Sequence, residues 1–303
     1  MLNKSELASL LELFDDSNIP EPTLDFHVEK ISGSQRDKLI LEIIKRTYHA
    51  DLKPSGEHRI PDWEAGWSEN LAKYESGGQL SQLVPGYFSS NTVIRLAGDL
   101  YKASTSLVEP ELLGTLIYDL LKKFCASATH IYEFGCGSGN NIQTVRRALP
   151  NAQIVGLDWA IASQKIISAV AERGDINNLT GHNFNFFKPD YSFELSSSGA
   201  VFTCAALEQV GTNWYPFVDY LLAAKPGIVV NIEPISELLD GDTLLDALSI
   251  EYARRRNHLN GYFEGLVELE RSGKIKILFK KRSTLGSIFL NGYSVVVWEV
   301  CSK

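Results

Sequence analysis

The run of residues with the clearest chemical meaning reads EFGCGSGNN at positions 133–141. Glycines let a ligand approach the backbone closely, and the helix expected to begin here offers free backbone N–H groups. The glycines are spaced G-x-G-x-G, and Asn140 stands where dinucleotide-binding turns carry a third glycine or an alanine. No Gly-Lys-Ser/Thr follows, which excludes a P-loop. The turn therefore departs from both nucleotide-binding patterns.

The acidic residue two places before the first glycine narrows the choice of ligand. Glu133 would repel a pyrophosphate, because like charges at short range are unfavourable, and it would attract an ammonium group. A cofactor that carries a free amino acid and no phosphate satisfies both conditions.

This run resembles the E/D-x-G-x-G-x-G signature of class I S-adenosylmethionine-dependent methyltransferases, and the resemblance covers about residues 111–303. It implies S-adenosyl-L-methionine as cofactor and an acid after the second strand that holds both ribose hydroxyls. It also implies an aromatic ring beside the adenine and an acid that accepts a hydrogen bond from the adenine amino group. The residues after the fourth strand are implied to lie beneath the reactive methyl group. The residues so implied are Glu133, Gly135, Cys136, Gly137, Gly139, Asn140, Asp158, Trp159, Asp190 and Ala205.

Three of these assignments have simpler alternatives, which stay open at this stage. Asp158 could serve only as a helix N-cap, since acids favour that place. Trp159 could be ordinary core packing, and Asp190 could be a cap or turn residue.

Candidate catalytic residues follow the fourth and fifth strands, where open α/β sheets bind ligands. Glu208 and Glu233 are expected to face the crevice together, to hold a cationic or polyhydroxylated acceptor, and one of them to take its proton. His182 is a rival base beside the third strand, and His258 is a second histidine candidate near the substrate. Surface acids and structural histidines are the alternatives. No Asp/Glu/His set has the spacing of a magnesium site, so no metal is predicted.

The elements that must position these residues alternate between strands and helices. Strands are predicted at 130–134, 153–158, 184–187, 200–206, 228–232, 274–279 and 293–300. The last two strands have no helix-length gap between them, so they form a hairpin. This pattern predicts an α/β fold, a doubly wound, seven-stranded, mainly parallel sheet of the Rossmann-like methyltransferase kind.

The preceding segment has a helical and irregular pattern instead of alternating strands and helices, so the domain boundary is placed between residues 110 and 111. Residues 1–110 are predicted to form a mostly helical cap, and residues 111–303 the cofactor-binding domain. Between about residues 53 and 91, prolines and glycines interrupt the pattern and predict a long aromatic-bearing loop. Tyr87, Arg95 and Tyr101 are expected to close the crevice and exclude water. A dimerisation arm is the alternative, which leaves a homodimer open.

Composition limits the classes of partner. Lys plus Arg number 29 and Asp plus Glu 37, so the net charge is 29 − 37 = −8, which disfavours nucleic acid. The four cysteines lack CxxC spacing, so a zinc ribbon is not expected. No apolar run is long enough for a membrane span and the start does not read as a signal peptide, so we expect a cytoplasmic protein.

The combined prediction is an enzyme that moves a methyl group to a nitrogen or oxygen of a small polar metabolite in specialised biosynthesis. The paired acids favour an amine or guanidinium acceptor, with a sugar or phenolic hydroxyl as the alternative. The family's Asp/Asn-Pro-Pro-Tyr/Phe tetrapeptide is absent. Methylation of RNA or protein, and a non-catalytic cofactor-binding role, are the alternatives of another class.

Overall fold

The computed structural model describes residues 4–14, 26–89 and 92–301. The strands, numbered in chain order, are β1 Val28–Lys30, β2 Val93–Leu96, β3 Asp99–Ala103, β4 His130–Phe134, β5 Gln153–Asp158, β6 Leu179–Asn183, β7 Ala200–Cys204, β8 Ile228–Glu233, β9 Ile275–Lys281, β10 Leu285–Ser287 and β11 Ser294–Val300. The α-helices are α1 Lys4–Leu11, α2 Gly33–Thr47, α3 Ile60–Gly77, α4 Val108–Phe124, α5 Ile142–Ala148, α6 Ile161–Glu172, α7 Tyr215–Ala224, α8 Leu244–Arg255 and α9 Tyr262–Arg271.

Seven strands form the main sheet, in the order β6-β5-β4-β7-β8-β11-β9. β11 runs antiparallel to both β8 and β9, whereas β4 to β8 pair in parallel. The central strands are buried along almost their whole length because helices cover both faces, as is usual for a parallel sheet. The predicted fold class is confirmed.

The strand order reverses at β4, which lies between β5 and β7. After β4 the chain builds outward through β5 and β6, and then it crosses to β7 and β8 on the other side. A reversal of this kind opens a crevice at the carboxyl ends of the two central strands. The glycine-rich run 133–141 begins at the end of β4, so the fold places it in this crevice.

The third strand of the sheet was predicted in the wrong place. It is Leu179–Asn183, not 184–187, and it lies at the sheet edge, where its exposed polar residues hide the apolar pattern of a strand. The phenylalanines of the next segment are buried without strand pairing. Phe184 and Phe186 have ring centroids 4.7 Å from those of Phe134 and Phe217, respectively.

The long loop predicted between residues 53 and 91 was also wrong, because it contains the 18-residue helix α3. Pro61 occupies the first turn, where a proline costs no hydrogen bond, and Gly78 ends the helix in the left-handed conformation. Pro61 and Gly78, which were interpreted as loop residues, therefore mark the beginning and the end of a helix.

A second, four-stranded antiparallel sheet has the order β1-β3-β2-β10. The prediction of a mostly helical segment omitted its first three strands. Its fourth strand, β10, comes from the connection between β9 and β11 of the main sheet, so residues on both sides of position 110 share one sheet. The main apolar core likewise joins Tyr74 and Ile94 to Ile131 and Val230. Among the described helices, none is both long and apolar enough to cross a membrane.

Candidate active site

A cavity of about 670 Å³ opens at the carboxyl ends of β4, β5 and β7. Its floor is the glycine-rich turn after β4, and its roof is α3 together with residues 85–88. A further wall comes from the end of α8 and from residues 287–293, between β10 and β11. The volume lies within the usual range for small-molecule sites.

The glycine turn is tightly enclosed, and this explains the residue type at each place. Gly135 and Gly137 line the cavity with φ of +77° and +54°. A Cβ on Gly135 would lie 2.2 Å from the Cβ of Ala206, and one on Gly137 would lie 2.8 Å from Cζ2 of Trp67. Gly139, with φ of +75°, lies behind the cavity surface against Ile142. Cys136 and Asn140 line the cavity as well.

Glu133 lies buried directly behind the turn. Its Oε1 accepts a hydrogen bond of 2.8 Å from Nδ2 of the cavity-lining Asn141, and its buried Oε2 has no partner in the part of the chain that the structure describes. Burial is the main cause that raises the pKa of this carboxyl to about 8. A buried carboxylate oxygen without a donor is unfavourable, and an ammonium group would supply the missing donors and the compensating charge.

Asp158, the last residue of β5, both lines the cavity and fixes the turn. Its Oδ2 accepts from the backbone N–H of Gly137 at 2.9 Å, and its Oδ1 accepts from that of Ala160 at 2.8 Å. Burial raises its pKa to about 6. Trp159 also lines the cavity, with its ring 6.0 Å from that of Phe187 and nearly parallel to it.

Asp190 and His182 do not line the cavity, contrary to the predicted adenine contact and general base. Asp190 Oδ1 accepts from the backbone N–H and hydroxyl of Ser192, at 2.9 and 2.6 Å, so the acid forms a turn. The His182 ring stacks on Phe193 at 4.3 Å, and its Nε2 lies 3.4 Å from Oδ2 of Asp190. Both belong to the outer edge of the sheet because β6 is an edge strand.

Glu208 and His258 form a pair that lines the cavity, with His258 buried and Glu208 half-buried. Nδ1 of His258 lies 3.6 Å from Oε2 of Glu208, and neither ring nitrogen has a hydrogen-bond partner among the described residues. Burial lowers the pKa of His258 to about 3, and the positive charges of Arg256 and Arg59 add to the effect. Burial, together with the charge of Glu233, raises the pKa of Glu208 to about 8. We call this region, with Tyr252, Arg256 and Phe289, the His258 end of the cavity.

Glu233 does not face the cavity, so the prediction that two carboxylates meet there was wrong. Its Oε1 accepts from the backbone N–H groups of Ala206 and Leu207, at 3.2 and 3.0 Å, and its Oε2 accepts from that of Glu208 at 3.2 Å. Glu233 therefore holds the loop that carries Glu208. Ala205, at the start of this loop, lines the cavity with φ of +48°.

Of the residues expected to close the crevice, only Tyr87 lines it. Arg95 is fully buried elsewhere, because four acceptors hold its guanidinium: the carbonyls of Leu245, Ile288 and Phe289 and the hydroxyl of Ser249. Tyr101 lies in β3, paired with β1, away from the cavity. The predicted substrate contacts of Arg95 and Tyr101 are therefore not found.

Helix α3 supplies the cover that sequence reasoning missed. Trp63 and Trp67 line the cavity, and their rings stack at 5.3 Å, as residues four apart on one helix face can. The carboxylate of Glu64 accepts from the backbone N–H groups of Ile161 and Ala162, at 2.7 and 3.0 Å. It thereby ties α3 to the N-terminus of α6. The four-residue spacing of the two tryptophans was the available signal.

One more carboxyl in the wall was missed. Glu109 is buried and lines the cavity, and its Oε1 accepts a 2.9 Å hydrogen bond from the hydroxyl of Tyr293, which also lines it. Burial raises the pKa of Glu109 to about 7. Its position in the first turn of α4 reads in the sequence as an ordinary helix-start acid.

No protein-family model matches the chain, and neither does any curated protein. Its coordinates are similar to those of an O-methyltransferase, NcsB1, from neocarzinostatin biosynthesis, in complex with S-adenosylmethionine and 2-hydroxy-5-methyl naphthoic acid. That match has 15% identity and a TM-score of 0.45, and it covers 86% of this chain and 74% of that chain. TnmH matches at 16% identity and a TM-score of 0.42, over 63% of this chain and 58% of that one. The small RNA methyltransferase HEN1 matches at 14% identity and a TM-score of 0.47, over 64% of this chain and 25% of that one. None of these values assigns an activity to the chain.

Proposed function

We propose that this chain is a class I S-adenosylmethionine-dependent methyltransferase that methylates a hydroxyl group of a small aromatic molecule. The observation that carries the proposal is the coincidence, in one cavity, of the glycine turn backed by Glu133 and the His258–Glu208 pair. The first part suits a cofactor with an ammonium group, and the second suits an acceptor that must lose a proton.

The residues around the turn fit the cofactor. Gly135 and Gly137 leave the backbone open to a ligand, and the unpartnered oxygen of Glu133 calls for a cation nearby. Asp158 keeps lone pairs for ribose hydroxyls besides those used by two backbone N–H groups, and Trp159 offers a ring face. When bound, S-adenosylmethionine supplies an electrophilic methyl group on a sulfonium.

The His258 end explains the choice of a hydroxyl acceptor. A neutral hydroxyl is a poor nucleophile and needs a base, whereas a neutral amine attacks without one. Burial keeps His258 neutral at physiological pH, so a ring nitrogen has a free lone pair for the acceptor's hydroxyl, but its low pKa means that proton transfer needs a negative charge beside the ring. Glu208 supplies that charge when its carboxyl, with a pKa of about 8, is ionised, because its Oε2 lies 3.6 Å from Nδ1 of the ring. The case for a cationic amine acceptor weakens because Glu233 is turned away from the cavity.

The roof of the cavity serves the same chemistry by excluding water. Trp63 and Trp67 cover the glycine turn, and Glu64 fixes their helix to α6. Tyr87 extends into the free space with more than half of its surface uncovered, 57%, as a side chain poised against a ligand would. Exclusion of water strengthens the interaction of the His258–Glu208 pair and protects the sulfonium. The aromatic lining favours a planar, phenolic acceptor over a sugar.

Two measurements test the proposal. Calorimetry with S-adenosylhomocysteine should show binding that Asp158→Asn weakens about tenfold or more, since each lost charge-assisted hydrogen bond contributes on that scale. Asp190→Asn is the matched control and should bind as the wild type does. Failure of the wild type to bind this compound would overturn the proposal.

Methyl transfer to a panel of phenols is then followed by mass spectrometry. His258→Gln should lower kcat by about 100-fold or more at unchanged affinity for S-adenosylhomocysteine, because general-base catalysis contributes about 10²–10⁴. His182→Gln is the control histidine outside the cavity and should keep full activity. An amine methylated faster than every phenol, or an active His258→Gln, would contradict the hydroxyl assignment.

A further inference from the structure

Two guanidinium groups line the cavity near its His258 end, and each has a buried nitrogen without a hydrogen-bond partner within residues 4–14, 26–89 and 92–301. The atoms are Nη1 of Arg59 and Nε of Arg256. Both positive charges act on His258, so the two groups share its surroundings. Unsatisfied buried donors are costly, and a guanidinium fork matches the two oxygens of a carboxylate. The arrangement is that of an anion site that faces the acceptor.

The charges in this region favour an anionic acceptor. Nε of Arg59 donates to Oδ2 of Asp62 at 2.6 Å, and Nζ of Lys53 lies 3.3 Å from the same oxygen, so two cations share this carboxylate. Arg256 has no carboxylate oxygen within 4 Å in the described ranges, and its Nη1 donates to the carbonyl of Lys53 instead. Arg59, Lys53 and Arg256 therefore have one paired carboxylate between them, and the remaining positive charge suits an anionic group such as a carboxylate, whose two oxygens match a guanidinium fork.

We propose that Arg256, assisted by Arg59, binds a carboxylate of the acceptor, so that the acceptor is an aromatic hydroxy acid. The inference rests on the proposed function and names its substrate class. Tyr252 and Phe289 form an aromatic wall next to Arg256, with ring centroids 5.2 Å apart and planes 12° apart. A planar ring against this wall would direct its carboxylate to Arg256 and an adjacent hydroxyl to His258.

The same guanidinium could instead hold the carboxylate of the methyl donor's amino-acid part. The position of Glu133 argues against this, because the carboxyl suited to that part's ammonium lies behind the glycine turn, whereas the charge of Arg256 acts on His258 and Tyr252. The experiment must therefore measure donor and acceptor binding separately.

The test uses the full chain saturated with S-adenosylhomocysteine. Hydroxybenzoic, hydroxynaphthoic and hydroxycinnamic acids are each compared with their methyl esters by calorimetry and ligand-observed NMR. We expect at least one acid to bind the wild type about tenfold or more tightly than its ester. Arg256→Gln should remove this preference, and Arg256→Lys, which keeps the charge but not the fork, should restore part of it. Arg254→Gln, at an exposed arginine paired with Glu251, is the matched control and should keep the full preference.

Each outcome separates the inference from the function on which it rests. Failure to bind S-adenosylhomocysteine overturns the proposed function itself. Normal binding of that compound with no acid preference in any pair, or with no acid bound, overturns only the carboxylate site. If Arg256→Gln weakens S-adenosylhomocysteine as much as it weakens the acid, the guanidinium serves the donor and the inference is wrong. Unchanged S-adenosylhomocysteine affinity in Arg256→Gln also shows that the variant is folded.

Discussion

Replacing Gly135 by alanine tests whether the turn after β4 has room for any side chain. The new Cβ would lie 2.2 Å from the Cβ of Ala206, well inside van der Waals contact, and φ at this position is +77°. A left-handed backbone costs a non-glycine residue roughly 1–2 kcal/mol, and overpacking adds about 1–3 kcal/mol. Alanine also lowers the conformational entropy of the unfolded chain, which stabilises the folded state by only about 0.4–1 kcal/mol. The free energy of unfolding should therefore fall by about 1–5 kcal/mol.

Gly174→Ala is the matched control, because φ there is +74° but nothing lies within 4 Å of the added Cβ. It carries the same backbone strain without the clash, so its free energy of unfolding should fall by no more than about 1.6 kcal/mol. Urea unfolding followed by tryptophan fluorescence compares the two variants, and calorimetry with S-adenosylhomocysteine reports on the turn. Equal losses of stability in both variants, or undiminished binding in Gly135→Ala, would refute the steric reasoning.

Three further predictions concern carboxyls around the cavity. Glu233→Gln leaves one acceptor oxygen for the backbone N–H groups that share two carboxylate oxygens in the wild type, so it should lower the free energy of unfolding by about 1–3 kcal/mol. It should also lower kcat because Glu208 is displaced, and it should leave the affinity for S-adenosylhomocysteine unchanged. Kinetics and calorimetry check these results. Glu64→Gln should reduce hydrogen-exchange protection at the α6 N-terminus and speed release of S-adenosylhomocysteine. Glu75→Gln, on the same helix but exposed and outside the cavity lining, should do neither. The pKa of Glu133 is about 8 in the folded protein against an ordinary 4.5, so between these pH values the folded protein keeps a proton that the unfolded chain releases. The contribution of this proton to stability is complete below pH 4.5 and is lost as pH rises through 8. An ammonium ligand should expel that proton at pH 7, which calorimetry in buffers of different ionisation enthalpy would detect in the wild type and not in Glu133→Gln.

The sequence predicted the centre of the fold well because its strands are buried on both faces. β4 and β5 have the predicted bounds, since continuous apolar runs ended by a glycine turn or an acid leave little choice. The edge strand β6 and helix α3 were missed for opposite reasons. β6 is exposed and polar, so it lacks the pattern of a buried strand, and α3 contains a proline and glycines whose helical roles depend on their exact places.

The site residues that local sequence determines were predicted well, and those whose direction depends on distant contacts were not. The residues of the glycine turn follow from local sequence, and the structure places Asp158 and Trp159 beside them. Side-chain direction at longer range could not be inferred, because the end of a strand offers both a cavity and a neighbouring loop. Glu233 satisfies a loop, whereas Glu208 lines the cavity. Arg95 reads as a surface arginine, and only the fold shows the four oxygens that surround it.

The strand β10 has a consequence for the order in which the protein can be completed during synthesis. The cap's sheet needs β10 beside β2, and the main sheet needs β11 inserted between β8 and β9. Both strands leave the ribosome after nearly all of their partners, so the nascent chain must hold two sheets with unpaired edges until residues 285–300 emerge. Such edges attract other strands, so a stalled chain lacking this stretch should aggregate, and its chaperone dependence should end abruptly once those residues are translated.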